Sequence, residues 1–238
     1  MNPDTMRQAK ALFEATRRVA DRAKNVSIVI APPSIFLREL ASGYKGAKIS
    51  FASQNIHFEN IGAHTGEIAP EMVRDAKAAY ALVGHAERRA LGETNEETRA
   101  KVNAAIAAKL MPILCVGERK RDHSGEHFDF VKEQLKIGLK DVSPAHIAKT
   151  IIAYEPVWEI GASEAMSPAL MHEMAIFIRK SVVATHGEKG MKIRILYGGS
   201  VDETNAKDMM RDGDVQGLLV GRASVDADTF ALLIKSLA

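Results

Sequence analysis

Residues 150–158 read Thr-Ile-Ile-Ala-Tyr-Glu-Pro-Val-Trp. From Ile151 to Tyr154 nothing charged interrupts the run; Glu155 closes it, and Pro156, which cannot donate to a ladder, stops the strand. A strand apolar on both faces belongs in a parallel sheet whose two faces are both covered. The carboxylate at its end is placed to be desolvated, which makes it a stronger base. A plainer reading, a strand-end glutamate paired with an arginine, stays open.

The same format recurs outward from this stretch. Strands are expected over 26–31, 48–54, 80–84, 111–117, 150–155, 192–198 and 215–221. Amphipathic helices are expected over 4–24, 35–42, 70–79, 94–109, 126–141, 168–185, 203–211 and 226–237. Strict alternation with crossover helices is the signature of βαβ units. No linker or composition break divides the chain, so one domain over 1–238 is expected. No G-x-G-x-x-G follows an early strand, which removes the mark of a dinucleotide fold. Polar and glycine residues instead gather just past the strand ends: Gln54-Asn55, His85 to Glu87, Glu118, Glu155, Gly198-Gly199-Ser200 and Gly221. In a (β/α)8 barrel those ends converge on one catalytic face. The expectation is therefore an α/β (β/α)8 barrel, but an incomplete one. Seven strands and eight helices are read, and the chain opens with a helix where a barrel needs its first strand.

Composition narrows the function. Lys plus Arg number 32 against 30 Asp plus Glu, and with no basic stripe there is no electrostatic case for nucleic acid. The longest apolar runs are far too short to cross a bilayer, and no leader opens the chain, so a cytoplasmic protein without membrane contact is expected. The single Cys115 excludes an internal disulfide framework and a Cys-rich metal site, and it reads as a core residue.

His85 follows a strand in Val83-Gly84-His85-Ala86-Glu87-Arg88-Arg89. At a helix start its pKa would be lowered, and it could act as a neutral electrophile; a structural histidine is the plainer alternative. No second His or Cys stands beside it at ligand spacing, so no metal is expected. Tyr197-Gly198-Gly199-Ser200-Val201 ends a strand and is read as entering a helix, and Leu219-Val220-Gly221-Arg222-Ala223-Ser224 repeats the arrangement. Glycines let backbone approach an anion, and N–H groups at a helix start bind it. Pro156, Val157, Trp158, Glu159, Ile160, Gly161, Ala162, Ser163, Glu164 and Ala165 put small residues between stiffer flanks, as in a hinged lid. The loop carrying Gly62-Ala63-His64-Thr65-Gly66-Glu67 is too long for a mere connector; a docking element and a solvated loop fit it equally.

Together these segments resemble the triosephosphate isomerase family. Ser53-Gln54-Asn55, the 62–67 and 83–89 stretches, Gly92-Glu93-Thr94-Asn95, Cys115-Val116-Gly117-Glu118, the 153–158 stretch, Tyr197-Gly198-Gly199-Ser200 and Leu219-Val220-Gly221 occur in the family's order. The resemblance implies interconversion of dihydroxyacetone phosphate and glyceraldehyde 3-phosphate in glycolysis and gluconeogenesis. Glu155 would be the base, His85 would polarise the carbonyl, and Glu87 would sit near them; this division of labour is the family's known one. Gly161, Ser200, Gly221 and Arg222 would hold the phosphate, and the 156–165 lid would exclude water. Thr65, with Glu67 beside it, would contact a partner in a homo-oligomer. No cofactor is implied, because the reaction is acid–base chemistry beside a carbonyl.

Departures from the family pattern carry their own expectations. The first strand, ending Asn-Trp-Lys-Met-Asn in the family, is matched only by Met1-Asn2, so its catalytic Asn and Lys are expected to be missing. A cation about 4 Å from the developing charge, at an effective dielectric near 20, is worth on the order of 4 kcal/mol, roughly a thousandfold in rate. Activity of this chain is therefore expected to be low, with a silent phosphate-binding or assembly protein as the alternative. Ala86 stands where Ser is usual, removing a hydroxyl that could hold Glu155, and Arg222 replaces a glycine.

Overall fold

The computed structural model describes residues 2–122, 124–159 and 165–238. Among them seven strands form one sheet in chain order: β1 Ile28–Ile30, β2 Ile49–Ser53, β3 Tyr80–Val83, β4 Met111–Val116, β5 Ile151–Tyr154, β6 Arg194–Tyr197 and β7 Gly217–Leu218. Every pairing is parallel, with Ile113 opposite Ile151 and Ile151 opposite Arg194. Alternate residues face two environments, as the pleat requires. Leu82, Ile113, Cys115, Ile151 and Ala153 pack together on one face, while Val83, Leu114, Val116, Ile152, Tyr154 and Ile195 join the larger core shared with the helices. That is why the strands read as continuous apolar runs.

Ten α-helices occur among the described residues: α1 Met6–Ala20, α2 Ser34–Gly43, α3 Pro70–Asp75, α4 Ala86–Ala90, α5 Asn95–Ala107, α6 Glu126–Gly138, α7 Pro144–Ile147, α8 Pro168–His186, α9 Ala206–Asp212 and α10 Ala227–Leu237. The expectation of eight is corrected by α4 and α7, which are too short to show a helical period. The strands expected over 26–31 and 215–221 shrink to Ile28–Ile30 and Gly217–Leu218, because each lies at a sheet edge with only one neighbour to pair with.

α1 packs against α10, so the outer helices meet across a seam that β1 and β7 leave unpaired among the described residues. A cavity of about 1810 Å³ opens along this seam, lined by Phe13, Ile28, Ile30, Leu196, Leu218 and Phe230. Ligand pockets commonly span about 300–1,000 Å³, so the space exceeds what a small ligand needs. No described helix is long and apolar enough to cross a membrane.

Candidate active site

Glu155 leaves the rim of the sheet just past β5, its N–H still donating to the Val116 carbonyl at 2.8 Å. The exit of β4 presses against it so closely that a Cβ on Gly117 would lie 1.8 Å from the Glu155 carbonyl oxygen, so only glycine fits there. The Gly117 N–H is fixed in turn by Oε1 of buried Gln134 at 2.8 Å.

The Glu155 side chain is buried. Its Oε1 lies 2.9 Å from His85 Nε2, and its Oε2 accepts the Ala86 N–H at 2.9 Å. His85 caps α4, its Nδ1 accepting the Glu87 N–H at 3.2 Å. An accepting Nδ1 assigns the ring hydrogen to Nε2, so the neutral imidazole donates to the carboxylate. Burial opposes the imidazolium form, but the hydrogen bond to Glu155 and the charges of Glu155 and Glu87 outweigh it, and the pKa is raised. This corrects the expectation of a lowered value. α4 is only five residues long, and the carboxylate beside the ring outweighs its amino end. Ala86 does deprive Glu155 of a neighbouring hydroxyl, yet the backbone N–H at that position holds the carboxylate instead.

Behind His85 lies a buried ion pair. Lys101 Nζ is 2.6 Å from Glu93 Oε2 and 2.9 Å from Asn55 Oδ1, and Glu93 Oε1 accepts the Gly84 N–H at 3.0 Å. With the Lys101 and Glu93 side chains 7% and 3% exposed, the residue preceding His85 is pinned from a water-poor interior.

After Pro156, Val157–Glu159 forms a single 3-10 turn. Buried Glu118 accepts the Tyr154 hydroxyl at 2.8 Å and Trp158 Nε1 at 2.7 Å, and burial followed by Glu118 raises the Tyr154 pKa. Glu159, wholly buried, accepts the Tyr197 hydroxyl at 2.5 Å, the Met166 N–H at 2.7 Å and the Ser200 N–H at 3.3 Å. Sequence reading placed Glu159 in a lid without assigning it partners, and it named Glu118 only as a polar strand end. Their partners lie up to 41 residues away, beyond any local pattern.

Of the other expected site residues, Glu87, Ser200, Gly221 and Arg222 line the cavity that His85 and Glu155 face. The turns of the last two strands do not lead straight into α-helices. The Asp202 carboxylate accepts the Thr204 and Asn205 N–H groups at 2.8 and 3.1 Å, delaying α9 to Ala206, and a 3-10 turn over Arg222–Val225 precedes α10. The expected lid lies partly outside the described residues: Ile160, Gly161, Ala162, Ser163 and Glu164 are not among them, while Ala165 is exposed. Thr65 and Glu67 are exposed on the long loop, whose ends are tied by His57 N–H donating to the Ile68 carbonyl at 2.8 Å. That loop also gathers His57, Glu59 and His64, with one potential ligand atom from each inside 4.8 Å of the others, a grouping the sequence reading passed over. Cys115 is fully buried, and burial holds its thiol well above the ordinary range, as a core residue requires.

A parallel sheet wrapped by helices, with a carboxylate–imidazole pair at its strand exits, is the arrangement of a β/α-barrel protein. A family model described as triosephosphate isomerase matches residues 1–237. The triosephosphate isomerase of Endomicrobium trichonymphae is 39% identical over 233 residues, 97% of this chain and 93% of that protein. That of Citrifermentans bemidjiense is 39% identical over 234 residues with the same coverage. The crystal structure of triosephosphate isomerase from Bartonella henselae aligns with a TM-score of 0.84 at 33% identity, over 95% of this chain and 93% of that one. The chain belongs to the triosephosphate isomerase family, and its fold is a TIM barrel.

Proposed function

We propose that this chain interconverts dihydroxyacetone phosphate and glyceraldehyde 3-phosphate by proton transfer between Glu155, His85 and the substrate. The observation that carries the reading is the 2.9 Å contact between Glu155 Oε1 and His85 Nε2, at the exits of β5 and β3 on either side of β4. Glu155 takes a proton from C1, and the electron pair moves into the C1–C2 bond as the His85 Nε2–H goes to the C2 oxygen. The resulting enediol collapses when Glu155 returns a proton to C2 and His85 Nε2, left without its hydrogen, takes the proton of the C1 hydroxyl. In the ligand-free arrangement the imidazole donates to its own base. A bound carbonyl oxygen takes over that donor, which frees the carboxylate for carbon. Ser200, Gly221 and Arg222 face the phosphate, and Glu87 tunes His85 by its charge.

The activity of these 238 residues alone is low in this reading. The described residues before α1 form no strand, none of them is lysine or arginine, and the seam between β1 and β7 has room for a strand. The chain works as one domain in the cytoplasm, and it self-associates through the exposed loop bearing Thr65 and Glu67. A coupled isomerase assay on the 238-residue chain, its N-terminus verified by intact mass, tests the activity. The expected outcome is weak turnover, rescued when a strand ending in Asn-Trp-Lys is fused ahead of Met1. Ordinary turnover without the fusion sinks the claim of impairment. Binding of glycerol 3-phosphate without turnover, even after fusion, sinks the isomerase reading.

A further inference from the structure

Two short runs of backbone meet around one side chain that the reaction does not use. Glu159 is 0% exposed, and all three of its donors, the Tyr197 hydroxyl and the Met166 and Ser200 N–H groups, converge on Oε1. Its other oxygen, Oε2, is buried without a hydrogen-bond partner among the described residues. That oxygen faces the β6 exit so closely that a Cβ on Gly199 would lie 2.4 Å from it. Both Gly199 and Ser200 of the turn read as a phosphate site thus lie against a carboxylate belonging to the chain itself. The three bonds are unequal: 2.5 Å to Tyr197, 2.7 Å to Met166, and only 3.3 Å to Ser200. The weakest is the one a phosphate would need. The Tyr197 hydroxyl is held protonated by burial and by Glu159, so it stays a donor to that carboxylate.

We propose that Glu159 is a resident anion of the phosphate site. Without ligand it holds the 197–200 turn in place. When a phosphorylated ligand arrives, it yields the Ser200 N–H while keeping Tyr197 and Met166, and its charge sets how strongly the turn holds any anion. The proposal rests on the reading of that turn as the phosphate site. A neutral residue at 159 would leave the Ser200 donor without a competing anion and remove the repulsion between two anions in a water-poor pocket.

Titration of inorganic phosphate into the 238-residue chain, followed through the Ser200 and Met166 amide NMR signals, tests this in the unaltered protein and in Glu159→Gln and Glu159→Ala. Because like charges brought together cost binding, both variants are expected to bind phosphate about tenfold tighter or more. Glu159→Gln keeps the size and an accepting oxygen, so it decides the matter if Glu159→Ala fails to fold. An unchanged or weaker Kd in Glu159→Gln, with the Ser200 amide still shifting, overturns the resident-anion role and leaves the phosphate reading standing. No phosphate-dependent shift at Ser200 in any of the folded proteins overturns both.

Discussion

The strand exits of β3 to β6, each pair joined through four registered residues, and those of β7 and β1 are held in different ways. The Glu93–Lys101 ion pair braces the turn after β3. β7 offers two residues to β6, while β1 has three, one of them, Val29, 38% exposed. The proposed proton-transfer pair and the 197–200 turn leave the first set; the turn at Gly221, read as phosphate-binding, leaves the second, beside the seam. In the proposed function the chemistry is thus anchored to the well-paired arc, while ligand grip spans that arc and the loosely held one. Changes at the seam should alter binding before they alter the geometry of Glu155 and His85.

The sharpest way to break this division is at the base. Glu155→Gln, measured in the strand-fused chain where there is turnover to lose, should lower kcat by about 10²–10⁴-fold, the usual worth of a positioned acid–base group, with little change in melting temperature. A loss of stability instead would make Glu155 a structural residue. Next in size is Lys101→Met, which leaves buried Glu93 only the more distant cation of Arg88, at 3.6 Å. Chemical denaturation should show a loss of about 3–5 kcal/mol, the cost of breaking a buried pair from one side. Hydrogen exchange should then sort the two arcs directly. Amides of β4 and β5 should exchange only through global opening, while those of β1 and β7 should exchange faster through local opening. Equal protection would erase the distinction drawn above.

The smallest effect concerns pH. An NMR titration should place the His85 pKa above its ordinary 6.5, and Glu155→Gln should bring it down, because the hydrogen bond and charge that raise it are then lost. A raised folded value means that the pair's contribution to stability is fully present below the unfolded pKa. It fades as pH rises through the folded one. A His85 pKa at or below 6.5 would mean that burial outweighs the carboxylate.

What the sequence disclosed, and what it withheld, follows the same physics. The apolar run Ile151 to Tyr154 and its terminal carboxylate are local, so the strand and the carboxylate at its rim were legible together. His85 stood out in the sequence, but the direction of its pKa shift did not, since the partner that controls it, Glu155, leaves β5, two strands further along the sheet. α7 escaped, and α4 was legible only as a helix start after His85, because one turn cannot show a 3.6-residue period. Glu159 looked like one more residue of a lid, since nothing local marks a carboxylate that will end wholly buried among donors from β6 and beyond.

One contact at the centre of the site has a consequence for how such proteins are surveyed. The hydrogen bond that anchors Glu155 Oε2 comes from the main chain of Ala86, a residue that is already alanine. Side-chain scanning is blind to it, and a substitution library would score the position as silent. Only editing the backbone itself, with an ester in place of that single amide, would expose how much of the glutamate's aim is written in the peptide link.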